Sequence, residues 1–245
     1  MTTPRDPIPG PPAKSKSDLA TRTLSAIVMV AVAGTALWLG GWVFTAFVVA
    51  VVLGVLWEWW GLVQRIAKTP LGAALWLVAG VSYVGVAMAV LVAMRAYALH
   101  WGIFPILMVI AVDVGAYFAG RSIGGPKIAP SVSPSKTWAG LAGGVIFAAF
   151  AYYLFFDRLW RLGLADNAPY PTVSDWFIKS LMAGTLIAIV AQSGDFFESW
   201  MKRRAGVKDS GSLIPGHGGL FDRVDGLLAV LFVGGVLWLA AGGWA

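Results

Sequence analysis

The sequence predicts an all-α fold, a polytopic bundle of transmembrane helices with about seven spans. Hydrophobic residues make up 58% of the 245 residues, charged residues make up only 12%, and the mean hydropathy is +0.77. A soluble domain is about a quarter charged, so most of this surface suits lipid rather than water. Apolar runs long enough to cross a bilayer, which takes roughly 20 residues, recur along the chain.

The candidate spans follow one another from residue 24 onward. They lie at residues 24–39, 43–63, 71–94, 99–119, 138–156, 176–196 and 224–243. A Gly40–Gly41 turn separates the first two, and a break near Gly80 would divide the third and give eight spans. Residues 1–22 are proline-rich with few large apolar side chains, which predicts a disordered tail on the cytosolic side. Residues 23–245 are predicted to form one membrane domain.

The basic residues predict the orientation of the bundle. With the N-terminus in the cytosol, 14 of the 18 lysines and arginines fall in the tail or in the loops after spans two, four and six. Short loops rich in Lys and Arg stay in the cytosol. The prediction is therefore an integral protein of a bacterial-type inner membrane, N-in and C-out, with these loops facing the cytosol.

Residue usage limits the chemistry. The chain has no cysteine and only two histidines, His100 and His217, which excludes disulfides, thiolate metal sites and histidine-rich metal sites. Any metal would bind carboxylates, which favour hard ions such as Mg²⁺. No basic tract is dense enough to predict nucleic-acid binding.

Three acids lie in or at the edges of apolar segments: Glu58, Asp113 and Asp195. Ionisable groups at membrane depth are costly and usually mark function. For Glu58, in W-E-W-W, a structural role near an interface is an equal alternative. Asp113 and Asp195 lie near the cytosolic ends of spans four and six, next to the two most informative loops.

The first of these loops runs from Asp113 to Trp138. Asp113, Tyr117 and Arg121 share a helical face. Ser133-Pro134 predicts a helix start, with Ser at the N-cap and Pro at the first helical position. This places Lys136 and Thr137 in the first turn of span five, where free amides and a lysine favour an anion. An ordinary capped helix with an interfacial lysine is the alternative.

The second loop runs from Ser193 to Asp225 and carries acids on both flanking helices. Asp195, Glu198, Ser199 and Lys202 recur every three or four residues, so they share a face. A P-G-H-G-G turn over 215–219 then leads to Asp222 and Asp225, and its glycines can aim amides at an anion.

This pattern suits a metal–triphosphate complex. A positive-inside loop with paired charges explains Lys202, Arg203 and Arg204, but not four carboxylates beside a glycine-rich turn. His217 is interpreted as a phosphate contact, with a proton donor or a plain turn residue as alternatives.

Several motifs occur here in a fixed order. The second loop reads G-D-x-x-E-S, K-R, K-D-S-G, P-G-H-G-G and D-R-x-D, and the first reads D-x-x-A-Y-x-x-G-R and S-P-x-K-T-W. Together they resemble the phosphatidate cytidylyltransferase family, over about 60 residues directly and by helix pattern from residue 22 to the end. The chain has Ala139 where family members usually have Glu, and it is short between Lys68 and Ala98.

The resemblance implies a Mg²⁺-dependent attack by phosphatidic acid on the α-phosphorus of CTP, giving CDP-diacylglycerol and pyrophosphate for phospholipid biosynthesis. It implies CTP, phosphatidic acid and membrane lipid as partners, leaves a homodimer open, and allows a second cation. The implied catalytic residues are Asp195, Asp222, Asp225, Lys208 and His217, and the three aspartates are also the implied metal ligands. The implied substrate-binding residues are Asp113, Tyr117, Arg121, Ser133, Lys136, Thr137, Ser199, Lys202, Arg203, Asp209, Gly218, Gly219 and Arg223.

Other functions are compatible with parts of this pattern. Another CTP-using lipid transferase, such as a polyprenol kinase, would share the phosphate chemistry, although D-R-x-D favours the cytidylyltransferase. A cation transporter also carries intramembrane acids, but it predicts them near mid-membrane. A membrane scaffold would have no use for the P-G-H-G-G turn.

Overall fold

The computed structural model describes residues 16–164, 172–216 and 218–241. Within them the chain forms seven helices and one two-stranded hairpin. The helices are α1 (Lys16–Leu39), α2 (Gly41–Ile66), α3 (Pro70–Tyr97), α4 (Leu99–Ser122), α5 (Trp138–Arg161), α6 (Val173–Ala205) and α7 (Phe221–Ala240), and the strands are β1 (Lys127–Ala129) and β2 (Ser133–Thr137). All seven helices are long and apolar enough to cross a membrane, so the predicted count of spans is confirmed.

The helices extend beyond the predicted apolar runs. Helix α1 begins at Lys16, so residues 16–22 are helical, and residues 1–15 of the predicted tail lie outside the described residues. Helix α6 continues to Ala205 through a basic last turn and ends at Gly206, whose φ of 70° gives a left-handed cap. Basic residues suit a helix C-terminus because they oppose its dipole. Hydropathy ends earlier than helical structure here.

Helix α3 is unbroken across Gly80, so the described residues give no eighth span. A Cβ at Gly80 would lie 2.4 Å from Nε1 of Trp59. The glycine therefore allows α2 and α3 to pack closely around that indole. Trp59 is 1% exposed, donates to the carbonyl of Trp76 at 2.9 Å and packs against Phe221. It forms the centre of the core shared by α2, α3, α6 and α7.

Helices α4 and α5 pack through small residues instead. A Cβ at Gly115 would lie 2.4 Å from the carbonyl oxygen of Gly143, so both positions require glycine at this crossing. Close backbone contact of this kind is typical of membrane helices, where small residues allow tight packing. It fixes the relative position of α4, α5 and the hairpin that joins them.

The hairpin corrects one prediction. Ser133 and Pro134 do not start helix α5; they lie in β2, which pairs antiparallel with β1. A residue before proline is pushed towards extended backbone, and proline is tolerated on a strand edge, so the same dipeptide suits a strand. The N-cap is Thr137, whose Oγ1 accepts from the amide of Gly140 at 3.0 Å. Lys136 therefore extends from a strand and not from the first turn of α5.

The connections α2–α3, α4–α5 and α6–α7 lie at one end of the bundle, here called the loop end. Two contacts tie this end together: Arg203 of α6 donates to the carbonyl of Val132 in the hairpin at 3.4 Å, and Ser210 of the α6–α7 connection contacts Glu58 of α2. The opposite end is called the far end. Both predicted motif loops thus meet at the loop end.

Candidate active site

Three aspartates from three helices form the first part of the site. Asp113 of α4, Asp195 of α6 and Asp225 of α7 are close enough to interact electrostatically with one another and with Lys136. Lys136 forms an ion pair with Asp195 that joins the hairpin to α6. These three aspartates are called the acid cluster. Three carboxyl groups thus face one lysine in this cluster.

A glycine brings two of these aspartates together. A Cβ at Gly194 would lie 2.6 Å from the carbonyl oxygen of Asp225 and 2.6 Å from Cβ of Ala229. Only glycine leaves room for this approach of α6 to α7, and it places Asp195 beside Asp225. Packing therefore explains the glycine of the G-D pair in the second loop, and charge explains its aspartate.

A second group of charges surrounds Lys202. Its Nζ lies 2.7 Å from Oε2 of Glu198 and 2.6 Å from Oδ1 of Asp222. The Glu198 side chain is 1% exposed, and its Oε1 has no hydrogen-bond partner. These three residues are called the ion triad. Lys202 was predicted to bind substrate, but in the structure it joins two carboxylates of α6 and α7.

The other oxygen of Asp222 holds the α6–α7 connection. Its Oδ2 accepts from the backbone amide of Ser210 at 3.0 Å, from the hydroxyl of Ser210 at 3.0 Å and from the amide of Gly219 at 2.9 Å. Asp222 therefore lies in the ion triad, separate from the acid cluster. The structure brings Asp195 and Asp225 together and holds Asp222 in different contacts.

Glu58 is a site residue for which the sequence left the role open. It is 3% exposed, and its carboxylate accepts from the amides of Leu220 at 2.9 Å and Phe221 at 2.8 Å. It is also 2.8 Å from the hydroxyl of Ser210, whose single hydrogen can be donated to Glu58 or to Asp222. The N-cap of α7 is Leu220, whose side chain offers no hydrogen-bond acceptor. This missing acceptor was the signal in the sequence that another residue, here Glu58, caps α7.

Glycines of the α6–α7 connection make room for the Glu58 carboxylate. Cβ atoms at Gly219 and Gly211 would lie 2.5 Å and 2.4 Å from the oxygens of Glu58. Gly216 and Gly218 have φ of 76° and 81°, which disfavour other residues. The backbone amides at this turn donate to carboxylates of the protein itself. The amide of Gly219 donates to Asp222, and the amides of Leu220 and Phe221 donate to Glu58. The predicted role of Gly218 and Gly219 in substrate binding stays a prediction, and His217 lies outside the described residues.

The remaining predicted residues surround the two clusters at the loop end. Tyr117 and Arg121 continue α4 beyond Asp113 and are exposed. Ser133 and Thr137 are buried in the hairpin, at 8% and 3% exposure. Ser199 is half-buried on α6, and the exposed ones are Arg203, Lys208, Asp209 and Arg223.

The carboxylates of the site are the side chains that could hold the predicted metal. Among the described residues, no group of three or more Asp, Glu or His side chains is already arranged as a metal site. The acid cluster nevertheless offers the hard oxygen donors of three carboxyl groups, which is the donor chemistry that Mg²⁺ prefers. Asp222 offers less, because both of its oxygens already accept hydrogen bonds.

Comparison with known protein families covers most of the residues of this site. The model of the cytidylyltransferase family matches residues 67–239, which is more than half of the chain and includes both motif loops. The chain belongs to the cytidylyltransferase family. The match contains the whole acid cluster and the whole ion triad, whereas Glu58 precedes it.

Two curated relatives are similar over nearly the whole length, and a third is similar over about half. A phosphatidate cytidylyltransferase of Brucella suis is 33% identical, covering 87% of this chain and 90% of the relative. One of Rickettsia bellii is 30% identical, covering 88% of each. One of Bacillus subtilis is 36% identical over 55% of this chain and 46% of the relative. The resemblance drawn from the motifs is therefore confirmed at the level of the family.

Proposed function

We propose that this chain transfers a cytidylyl group from CTP to phosphatidic acid, giving CDP-diacylglycerol and pyrophosphate. The observation that carries the proposal is the near full-length similarity to proteins named phosphatidate cytidylyltransferase. The geometry supports it, because the family's charged motif residues meet at one end of a membrane bundle, where a water-soluble nucleotide can reach a lipid headgroup.

The reaction needs no nucleophile from the enzyme. A phosphate oxygen of phosphatidic acid attacks the α-phosphorus of CTP, the bond from that phosphorus to the bridging oxygen breaks, and pyrophosphate leaves. Catalysis of this kind is positioning and charge stabilisation. A labelled nucleotidyl-enzyme, trapped when CTP is supplied without lipid, would contradict direct transfer.

We assign the phosphates of CTP to cations at the loop end. Lys136 contacts Asp195 directly, and Lys208 and Arg223 are exposed on either side of the turn that Glu58 and Asp222 hold. Arg121 and Arg203 are exposed at the same end. The further residues proposed to contact nucleotide or lipid headgroup are Tyr117, Ser133, Thr137, Ser199, Asp209, His217 and Gly218.

Magnesium is part of this proposal. Asp195 and Asp225, with Asp113 beside them, would hold it, and the same three residues would be the ligands available to a second cation. A bound Mg²⁺ would neutralise charge on the triphosphate. Asp222 would act by positioning Ser210 and Gly219 through its hydrogen bonds. Mn²⁺ binding measured by paramagnetic resonance should weaken in Asp225→Asn, whereas unchanged binding would remove Asp225 from the ligand set.

We further propose that the protein lies in the inner membrane with the loop end in the cytosol. The motive is the basic bias of the predicted cytosolic segments. CTP is a cytosolic nucleotide, so this orientation also gives the acid cluster access to it. A homodimer stays a prediction, which light scattering of the protein in detergent would check.

A substrate panel separates the proposal from its rivals. Purified protein is incubated with CTP, Mg²⁺ and either phosphatidic acid or a polyprenol, and the lipid products are identified. We expect CDP-diacylglycerol from phosphatidic acid and no phosphorylated polyprenol. Product from the polyprenol alone would identify a kinase, and cation flux without lipid product would favour a transporter.

A further inference from the structure

A large cavity lies among the five helices α3, α4, α5, α6 and α7 at the far end, away from the acid cluster. Its volume is about 1310 Å³, and most of its wall is aliphatic or aromatic. Tyr97, His100 and Lys179 line it near the helix ends, and Met108, Val190 and Val230 line its deep end. Ligand cavities for drug-sized molecules are usually about 300–1,000 Å³, so this space suits a larger ligand.

The depth of the cavity corresponds to one leaflet of a bilayer. His100 and Met108 are eight residues apart on α4, roughly 12 Å at the helical rise, and Lys179 and Val190 are eleven apart on α6, roughly 16 Å. Half of the hydrocarbon core is about 15 Å thick. A lipid acyl chain entering from the far end would therefore occupy the full depth.

Packed side chains separate this cavity from the acid cluster. Met108, Val190 and Val230 each lie five residues from an aspartate of that cluster on the same helix, roughly 7 Å away along the axis. Val112 lies between Met108 and Asp113 on α4, Ala191 lies between Val190 and Asp195 on α6, and both are buried. The cavity is thus separate from the site proposed for CTP.

The mouth of the cavity has the polarity of a membrane interface. Lys179 is an exposed cation there, and no carboxylate lines the cavity within the described residues. The carboxylate of Asp175, one turn before Lys179, accepts from Thr172 at 2.7 Å and also interacts electrostatically with Lys179. Tyr97, Trp160 and Trp238 also contribute to the wall, as tryptophan and tyrosine do at headgroup level.

We propose that this cavity is a second lipid site. It binds one phospholipid of the leaflet at the far end, with an acyl chain between the helices and the phosphate at Lys179. An empty cavity of this size would forfeit packing contacts on every side, and a chain from the surrounding leaflet restores them. The proposal names a site that the transfer reaction does not use.

The test uses phosphatidylglycerol carrying a photoreactive diazirine at a chosen carbon of one chain. Purified protein in phosphatidylcholine vesicles containing this probe is irradiated, and labelled residues are mapped by mass spectrometry. A carbon near the glycerol should label the region of Tyr97 and Trp176, and the terminal carbon should label the region of Met108 and Val230. The reverse gradient would mean that the chain enters from the acid cluster, and labelling confined to outward-facing residues would mean that no chain enters. Either result overturns the proposal.

A variant that fills the cavity gives a second test. Gly234 lines it, and a Cβ there meets nothing within 4 Å. Gly234→Leu should reduce terminal-carbon labelling roughly fivefold or more, because leucine takes space that the chain would fill. Gly85→Leu is the matched control, since Gly85 is also helical with open space at Cβ but does not line the cavity. Equal labelling of both variants would overturn the proposal.

The phosphate contact has its own variant. Lys179→Gln should reduce labelling by phosphatidylglycerol at low probe concentration, when occupancy depends on affinity. If Lys179→Gln leaves the labelling unchanged, Lys179 does not contact the phosphate, which would contradict that part of the proposal. Even if a variant folds poorly, the wild-type protein tests whether the site exists, through the change of labelled residues with the position of the diazirine along the chain.

Discussion

Glu58 of α2 accepts a hydrogen bond from the backbone amide of Phe221, 163 residues further along the chain, at 2.8 Å. This contact supplies the N-terminal acceptor that α7 lacks locally, since Leu220 occupies its N-cap. The same carboxylate contacts Ser210 in the α6–α7 connection. One buried acid therefore fixes both the start of α7 and the loop before it.

Replacing this acid should loosen the site. Glu58→Ala removes a charged acceptor from three donors, so we expect the free energy of unfolding to fall by about 2–4 kcal/mol. Activity should fall with it, because Asp222 and Arg223 lie in the first turn of α7. Thermal unfolding and turnover in detergent measure both effects. Trp57→Leu, at a 74% exposed neighbour, is the control, and a stable, fully active Glu58→Ala would contradict the assignment.

The ion pair of Lys136 with Asp195 should act as a unit. Asp195→Asn and Lys136→Gln should each lower turnover by about 10²-fold or more, because both groups are assigned to the triphosphate and its metal. The double variant should lose less than the product of the two effects, since groups in contact are non-additive. Asp157→Asn, which alters an ion pair with Arg161 at the far end, is the control. Independent, multiplicative effects would show that the two residues do not act together.

The helix crossing at Gly194 can be tested by a substitution that changes no charge. Gly194→Ala places a methyl group 2.6 Å from the carbonyl of Asp225, so α6 and α7 must move apart. Turnover should fall by about 10-fold or more, because small misplacement of reacting groups is costly. Gly61→Ala is the control, since a Cβ there meets nothing within 4 Å. Equal activity of the two variants would mean that the spacing of Asp195 and Asp225 is unimportant.

Orientation can be measured because the chain has no cysteine. Single cysteines at Ser131 and Ser212, both exposed at the loop end, should resist an impermeant thiol reagent in intact cells. A cysteine at Ser174, exposed at the far end, should react. Labelling of the first two positions but not the third would reverse the predicted orientation.

The sequence predicted the helices well because bilayer thickness sets the length of an apolar run. It predicted helix ends less well, since α6 continues through Lys202 and Arg203, where hydropathy no longer indicates a span. The hairpin was missed because Ser133-Pro134 suits a strand and a helix start equally. Pairing with β1 decides between them, and pairing is tertiary information.

The charged residues of the site were identified from their motifs, but their partners were not. Spacing along α6 placed Asp195, Glu198 and Lys202 on one face, yet it does not reveal that Asp195 contacts the hairpin and Lys202 contacts Asp222. The partnership of Glu58 with Phe221 depends on how α2 packs against α7. No local pattern contains that information.

The fate of the individual phosphates of CTP tests the central claim most directly. Purified protein with phosphatidic acid and Mg²⁺ receives CTP labelled at the α- or the γ-phosphorus, and the lipid fraction is counted. Cytidylyl transfer predicts label in the lipid from the α-position only, with the γ-label released as pyrophosphate, and loss of the lipid label in Asp195→Asn. Lipid labelled from the γ-position, or equal lipid labelling by Asp195→Asn, would contradict the account.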